Sequence, residues 1–97
     1  MEQDKARGIM VSRQIRPWGV SDAAVLALPS RVRREDFVPP SQRALAFADM
    51  SLPLGDKPCQ IMLEPKMEAR LLQALAVRPT DKALEIGAGS GYMAALL

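Results

Sequence analysis

Three glycines at alternate positions constrain the fold of this chain more than any other feature. The stretch Leu84-Glu85-Ile86-Gly87-Ala88-Gly89-Ser90-Gly91-Tyr92 runs directly into the helix-forming residues 93–97. An acidic residue among apolar neighbours, then a glycine turn, then a helix is the order found at nucleotide-cofactor sites of doubly wound α/β folds. Glycine allows positive φ, lets a ligand approach the backbone, and lets a helix pack closely on a strand. The sequence therefore predicts a strand over residues 83–86, a glycine loop, and a helix after it.

The length limits how much of such a fold these residues can complete. The chain has 97 residues, of which 48% are hydrophobic and 25% charged, a balance typical of a globular protein. A doubly wound sheet needs several parallel strands, and the sequence predicts only one. We therefore interpret the chain as an N-terminal fragment of an α/β domain. We predict a helical segment and a loop over residues 1–64, and the start of a Rossmann-like cofactor-binding domain over residues 65–97. Exposed apolar faces on the last helices would then allow self-association.

Composition and charge exclude several classes of site. The chain has no histidine, so a Ser-His or Cys-His pair and a histidine-ligated metal are excluded within it. The lone Cys59 cannot form an internal disulfide, and we predict no metal site. The basic run at 31–34 is followed at once by Glu35 and Asp36, which favours a solvated, self-neutralised helix end over a nucleic-acid surface. No apolar run is long enough to span a membrane. We expect a cytoplasmic protein without nucleic-acid or membrane partners.

The sequence of the N-terminal half predicts helices joined by proline-containing turns. Apolar spacing predicts a first helix over residues 3–15, which ends at the Arg16-Pro17-Trp18-Gly19 turn. Ser21 is the expected N-cap of a second helix, and Pro29 is expected to shorten or kink it. Residues 37–40 are predicted to be extended, with Phe37 in the core, and residues 41–58 to be irregular.

A third helix has the strongest pattern. Pro65 suits the first helical position, and apolar residues follow at helical spacing. These residues are Met67, Leu71, Ala74 and Leu75, and they predict a helix that runs to Leu75.

The glycine spacing also bears on the cofactor. A dinucleotide site reads G-x-G-x-x-G, whereas this loop reads G-x-G-x-G, which suits S-adenosylmethionine better. Glu85 would hold the positively charged methionine end of that cofactor, directly or through water. The alternative is a plain strand-to-helix turn in which Glu85 caps local N–H groups. The candidate cofactor-binding residues of the loop are Glu85, Gly87, Ala88, Gly89, Ser90 and Gly91.

The chain resembles the protein-L-isoaspartate O-methyltransferases over nearly all of its length. The order and spacing of six segments carry the resemblance. They are Gln14–Val20, Val25–Leu26, Arg34–Pro39, Ala44–Asp49, Leu52–Gly55 and Leu84–Tyr92.

The resemblance implies both an activity and further site residues. The family uses S-adenosylmethionine to methylate the α-carboxyl group of isoaspartyl residues in damaged proteins, so isoaspartyl peptides or proteins would be the substrates. This activity is expected of the full-length protein, whereas the fragment by itself is expected to be inactive. It also implies that the start of the third helix lines the cofactor pocket, although these residues equally suit an ordinary first turn of a core-facing helix. They are Pro65, Lys66, Met67 and Glu68.

The resemblance departs from the family pattern in the active-site loop. Alignment on Pro65 places Leu63 where the family has a serine regarded as catalytic, and the loop after Gly55 is two residues longer than usual. Leucine cannot donate a hydrogen bond. A methyltransferase with another acceptor and a non-catalytic relative that binds cofactor or a partner protein therefore remain as alternatives.

Overall fold

The computed structural model describes residues 2–55, 57, 60–87 and 89–97. Cys59 and Ala88 thus lie outside the described residues. Four α-helices are described: α1 (Glu2–Met10), α2 (Ala23–Arg31), α3 (Pro65–Leu75) and α4 (Tyr92–Leu96). Two short strands, β1 (Leu52–Pro53) and β2 (Ile61–Met62), pair antiparallel with Leu52 opposite Met62. Helices with a small sheet agree with the N-terminal part of an α/β domain.

The first helix forms where the sequence predicts it. α1 continues into a π-helical turn at Val11–Ile15 and a 3-10 turn at Arg16–Trp18. Gly19 then ends the helical run with a φ of 83°, which favours glycine. Met10 and Ile15 are almost fully buried and contribute to the core.

The second helix corrects the predicted cap. Asp22, not Ser21, is the N-cap of α2, because its Oδ1 accepts hydrogen bonds from the backbone N–H of Ala24 and Val25 at 2.8 and 3.3 Å. The Ser21 N–H instead donates to Gln73 of α3 at 2.7 Å. α2 also continues through the buried Pro29 to Arg31, so the proline does not end it.

The segment between α2 and α3 is mostly irregular, as predicted. Phe37 ends a 3-10 turn at Arg34–Phe37 rather than starting an extended stretch. It is half-buried, and its ring centroid lies 5.6 Å from that of Tyr92. Val38 is extended and more fully buried, so the core position belongs mainly to the residue after the predicted one. A third 3-10 turn spans Pro40–Leu45.

The third helix begins and ends as predicted, but the apolar residues whose spacing predicts it do not form its buried face. The buried residues of α3 are Pro65, Glu68, Ala69 and Leu72, whereas Leu71 and Leu75 are 42% and 62% exposed. The helix carries apolar side chains on two sides. The helices from the first part of the chain pack against only one of them.

The predicted strand over residues 83–86 is not formed. Residues 81–85 have no regular secondary structure, and Leu84 and Ile86 are 89% and 90% exposed. A strand needs a neighbour to bond its backbone N–H and C=O groups. Within the described residues the only strand pairing is that of β1 with β2.

Candidate functional site

The glycine loop has the backbone that its sequence predicts. Gly87, Gly89 and Gly91 have φ angles of 72°, 58° and 85°, all in the left-handed region. A Cβ at Gly89 would lie 3.2 Å from Leu54 Cδ1, whereas one at Gly87 would meet no heavy atom within 4 Å. Gly91 is the N-cap of α4, which begins at Tyr92. The loop therefore turns the chain sharply and keeps its Gly87 side open.

A cleft of about 430 Å³ lies between this loop, β2 and α3. Apolar side chains from α3 and the segment before the loop form much of its wall. Two carboxylates and the loop backbone supply its polar part. The predicted site residues that line it are Leu63, Glu68, Glu85, Gly87, Gly89 and Ser90.

Glu85 carries an oxygen without a partner. Its Oε1 is buried and accepts no hydrogen bond from the described residues. A buried carboxylate oxygen left unpaired is costly, and such atoms in folded proteins normally have a partner. The cap role that the sequence left open for Glu85 does not satisfy this atom. A cationic or N–H-bearing ligand in the cleft would.

Glu68 is the second carboxylate of the cleft. It is 4% exposed, and its carboxylate forms an ion pair with the Arg34 guanidinium. Burial raises the pKa of Glu68, the positive charge of Arg34 opposes that rise, and the nearby Glu85 adds to it. Among the described residues, the site thus holds the two acidic groups Glu68 and Glu85 and the one buried cation Arg34, which leaves a net negative charge.

The role of Arg34 is not evident from the sequence. The run of charges predicts a solvated helix end, but Arg34 is 1% exposed and Glu35 2% exposed. The prediction is right only for the flanking residues, since Arg33 is exposed and lies 3.9 Å from the Asp36 carboxylate. The burial of Glu68 could be predicted from the sequence, because Glu68 shares a helix face with Pro65, Ala69 and Leu72. Nothing in the run of charges distinguishes Arg34 from Arg33.

The other predicted residues at the start of α3 lie away from the cleft. Pro65 lines a small apolar pocket together with Met10 and Ile15. The Lys66 ammonium lies 3.4 Å from the Asp49 carboxylate and 4.8 Å from the centroid of the Trp18 ring. Met67 is half-buried and does not line the cleft. Of this group, the structure brings only Glu68 to the glycine loop.

Leu63 presents an apolar side chain to the cleft. It is 38% exposed and immediately follows β2. Its backbone carbonyl accepts a hydrogen bond from Arg34 Nη2 at 2.8 Å. The buried arginine thus holds the backbone at this position, and the side chain offers no hydrogen-bond donor.

Over the residues that the structure describes, no group of three or more His, Cys, Asp or Glu side chains is placed to hold a metal ion. None of the described helices is long and apolar enough to cross a membrane.

A glycine loop and acidic side chains around one cleft are typical of cofactor-binding α/β proteins. Comparison with known proteins defines the class. Residues 5–97 match the family model described as protein-L-isoaspartate(D-aspartate) O-methyltransferase. The chain belongs to this family.

Curated relatives agree with the family match. Proteins named protein-L-isoaspartate O-methyltransferase from Methylorubrum populi and Gloeobacter violaceus are 45% and 46% identical over 94 and 88 residues. These matches cover 97% and 91% of this chain, but 43% and 42% of the relatives. A relative of the same name from Roseiflexus castenholzii is 42% identical over all of this chain, which matches 43% of its length. The chain thus spans less than half the length of the relatives it matches.

Proposed function

We propose that the cleft binds S-adenosylmethionine, and that the protein at its full natural length methylates isoaspartyl carboxyl groups in damaged proteins. The observation that carries the proposal is the unpaired, buried Glu85 Oε1 beside the glycine loop. Membership of the family supports it, because the relatives are named for this reaction. We also propose that the complete domain has a Rossmann-like fold. We further propose that the protein is cytoplasmic.

The residues present suit this cofactor. S-adenosylmethionine carries positive charge on its sulfonium and amino groups, and the cleft has a net negative charge and an unpaired acceptor. Glu85 would hold the amino group, and the loop backbone at Gly87 and Gly89, which lines the cleft, would receive the rest of the molecule. The cofactor supplies an electrophilic methyl group when bound. Ser90 and Gly91 complete the turn, and Ala88 lies outside the described residues.

The proposed acceptor needs little activation. A carboxyl group with an ordinary pKa near 4 is already ionised at neutral pH, so it can receive a methyl group without a strong base. What the protein must supply is alignment and exclusion of water. The apolar cleft wall, which includes Leu63 and Leu71, suits the exclusion of water.

A second candidate is a methyltransferase with another acceptor. The apolar Leu63 side chain in the cleft favours it, because leucine at this position offers no hydroxyl group that could donate a hydrogen bond to the acceptor. Non-catalytic binding of cofactor or of a partner protein remains the third candidate.

Self-association through the exposed Leu75, Leu84 and Ile86 is a separate proposal that sedimentation can test.

Transfer of a labelled methyl group tests the function. The protein at its full natural length is incubated with labelled S-adenosylmethionine and an isoaspartyl peptide, with the matching aspartyl peptide as control. We expect label in the isoaspartyl peptide alone. Label in neither peptide, with cofactor binding intact, would contradict the isoaspartyl assignment. Transfer gained only by a Leu63→Ser variant would show that the leucine removes that acceptor.

A further inference from the structure

One buried guanidinium, that of Arg34, joins the segments that surround the cleft. Its Nε donates to the carbonyl of Ala46 and its Nη2 to the carbonyl of Leu63, both at 2.8 Å. Its Nη1 pairs with the carboxylate of Glu68 on α3. The same group lies 5.1 Å from the ring centroid of Tyr92, the residue that follows the glycine loop. Leu63, Glu68 and the glycine loop all line the cleft.

A second buried ion pair provides a comparison within the same chain. Arg7 of α1 pairs with Glu35, the residue next to Arg34. Arg7 is 8% exposed, and its guanidinium lies 5.3 Å from the centroid of the Phe47 ring. This pair has the same chemical parts as the first, but neither of its residues lines the cleft. It fastens the first helix to the turn at Arg34–Phe37.

Stability alone does not account for a buried pair of this kind. The free energy needed to remove both charges from water is about as large as the free energy gained from their attraction. Replacement of a whole pair by apolar residues is therefore often neutral or stabilising. A planar guanidinium does provide geometry, because its donors form a rigid fork that holds several acceptors in fixed directions. At Arg34 those acceptors are one carboxylate and two backbone carbonyls.

We propose that Arg34 is a positioning residue of the cofactor site. It fixes the Leu63 backbone and the Glu68 carboxylate against the segment that carries the glycine loop. This role rests on the proposed function, since it assumes that the cleft binds S-adenosylmethionine. It predicts that affinity for the cofactor depends on the fork of Arg34 and not merely on its charge.

The direct test compares two identical changes. Arg34→Lys keeps the charge but cannot reach three acceptors in the geometry of the guanidinium, and Arg7→Lys makes the same change in the remote pair. Binding of S-adenosylhomocysteine to the protein at its full natural length is measured by calorimetry, at a temperature where circular dichroism shows both variants to be folded. We expect Arg34→Lys to weaken binding by about tenfold or more, the effect of losing one charge-assisted hydrogen bond. Arg7→Lys should bind as the unmodified protein does. Equal affinities in all three proteins, or an equal loss in both variants, would overturn the proposal.

A second variant covers the case in which Arg34→Lys does not fold. Replacing the whole pair, Arg34→Met with Glu68→Met, leaves no unpaired buried charge and should keep the fold. Glu68→Gln alone shows how much affinity is lost with the carboxylate itself. Weaker binding by the double variant than by Glu68→Gln supports the role of Arg34, and equal binding overturns it. Failure of the unmodified protein to bind would instead overturn the proposed function and this role with it.

Discussion

The helical part of the molecule and the predicted strand at residues 83–86 are both rich in apolar residues, yet only the helices are covered. Met10 and Leu72 are 1% and 6% exposed, whereas Leu84 and Ile86 are 89% and 90% exposed. A helix satisfies its own backbone hydrogen bonds, so the helices of the core need only side-chain packing from their neighbours. A central strand needs neighbouring strands before its backbone groups are satisfied. An apolar pattern in the sequence therefore predicts a helix or a strand correctly only where the packing partner of that element is also present.

The largest expected effect tests whether the Arg34 side chain is as buried as the structure shows. Arg34→Met leaves Glu68 as an unpaired buried acid, and we expect it to lower the free energy of unfolding by roughly 3–5 kcal/mol. The neighbouring Arg33, whose side chain is 57% exposed, is the matched control. Arg33→Met should cost at most about 1 kcal/mol. Urea denaturation of both variants measures the difference, and similar values would contradict the burial of Arg34.

A pair of leucines tests the comparison itself. Leu72→Ala in the core should cost about 2–5 kcal/mol through lost burial and the cavity it leaves. Leu84→Ala should change the free energy of unfolding of the 97-residue chain by no more than about 0.5 kcal/mol. Urea denaturation again gives both values. A large loss at Leu84 would mean that this segment packs in a way the structure does not show.

Alkaline pH tests the burial of the residue that follows the glycine loop. Burial raises the pKa of Tyr92 to about 12 from an ordinary value of 10.0, so the folded state favours the neutral phenol. The resulting stability is fully present below pH 10.0 and is lost as pH rises towards 12. The loss amounts to roughly 2–3 kcal/mol. Unfolding curves between these pH values check it, with Tyr92→Phe as the control that should lack this component. An identical pH dependence in both proteins would contradict the burial.

The smallest expected effect concerns the start of α2. Asp22→Ala removes the side-chain cap and should cost about 1 kcal/mol, whereas Ser21→Ala removes no such bond and should be close to neutral. Thermal unfolding of the two variants separates them. A larger loss at Ser21 would restore the cap predicted from the sequence.

Local features of the fold could be predicted, and those that depend on distant contacts could not. Pro65 marks the start of α3, and the alternating glycines predict positive φ, because each depends on the backbone limits of one residue. The buried side of α3 and the missing strand at 83–86 depend on what lies opposite them. The same holds for the site: Glu85 and the glycines are evident from their motif, whereas the burial of Arg34 follows from acceptors 12 to 34 positions away.

Calorimetric titration of S-adenosylhomocysteine into the protein at its full natural length tests the central claim most directly. The matched variants are Gly89→Val, whose side chain would meet Leu54 at a φ of 58°, and Gly8→Val, which meets no heavy atom within 4 Å in α1. We predict binding by the unmodified protein and by Gly8→Val, and none by Gly89→Val. Absence of binding to the unmodified protein, or equal binding by all three, would contradict the assignment of the glycine loop as a cofactor site.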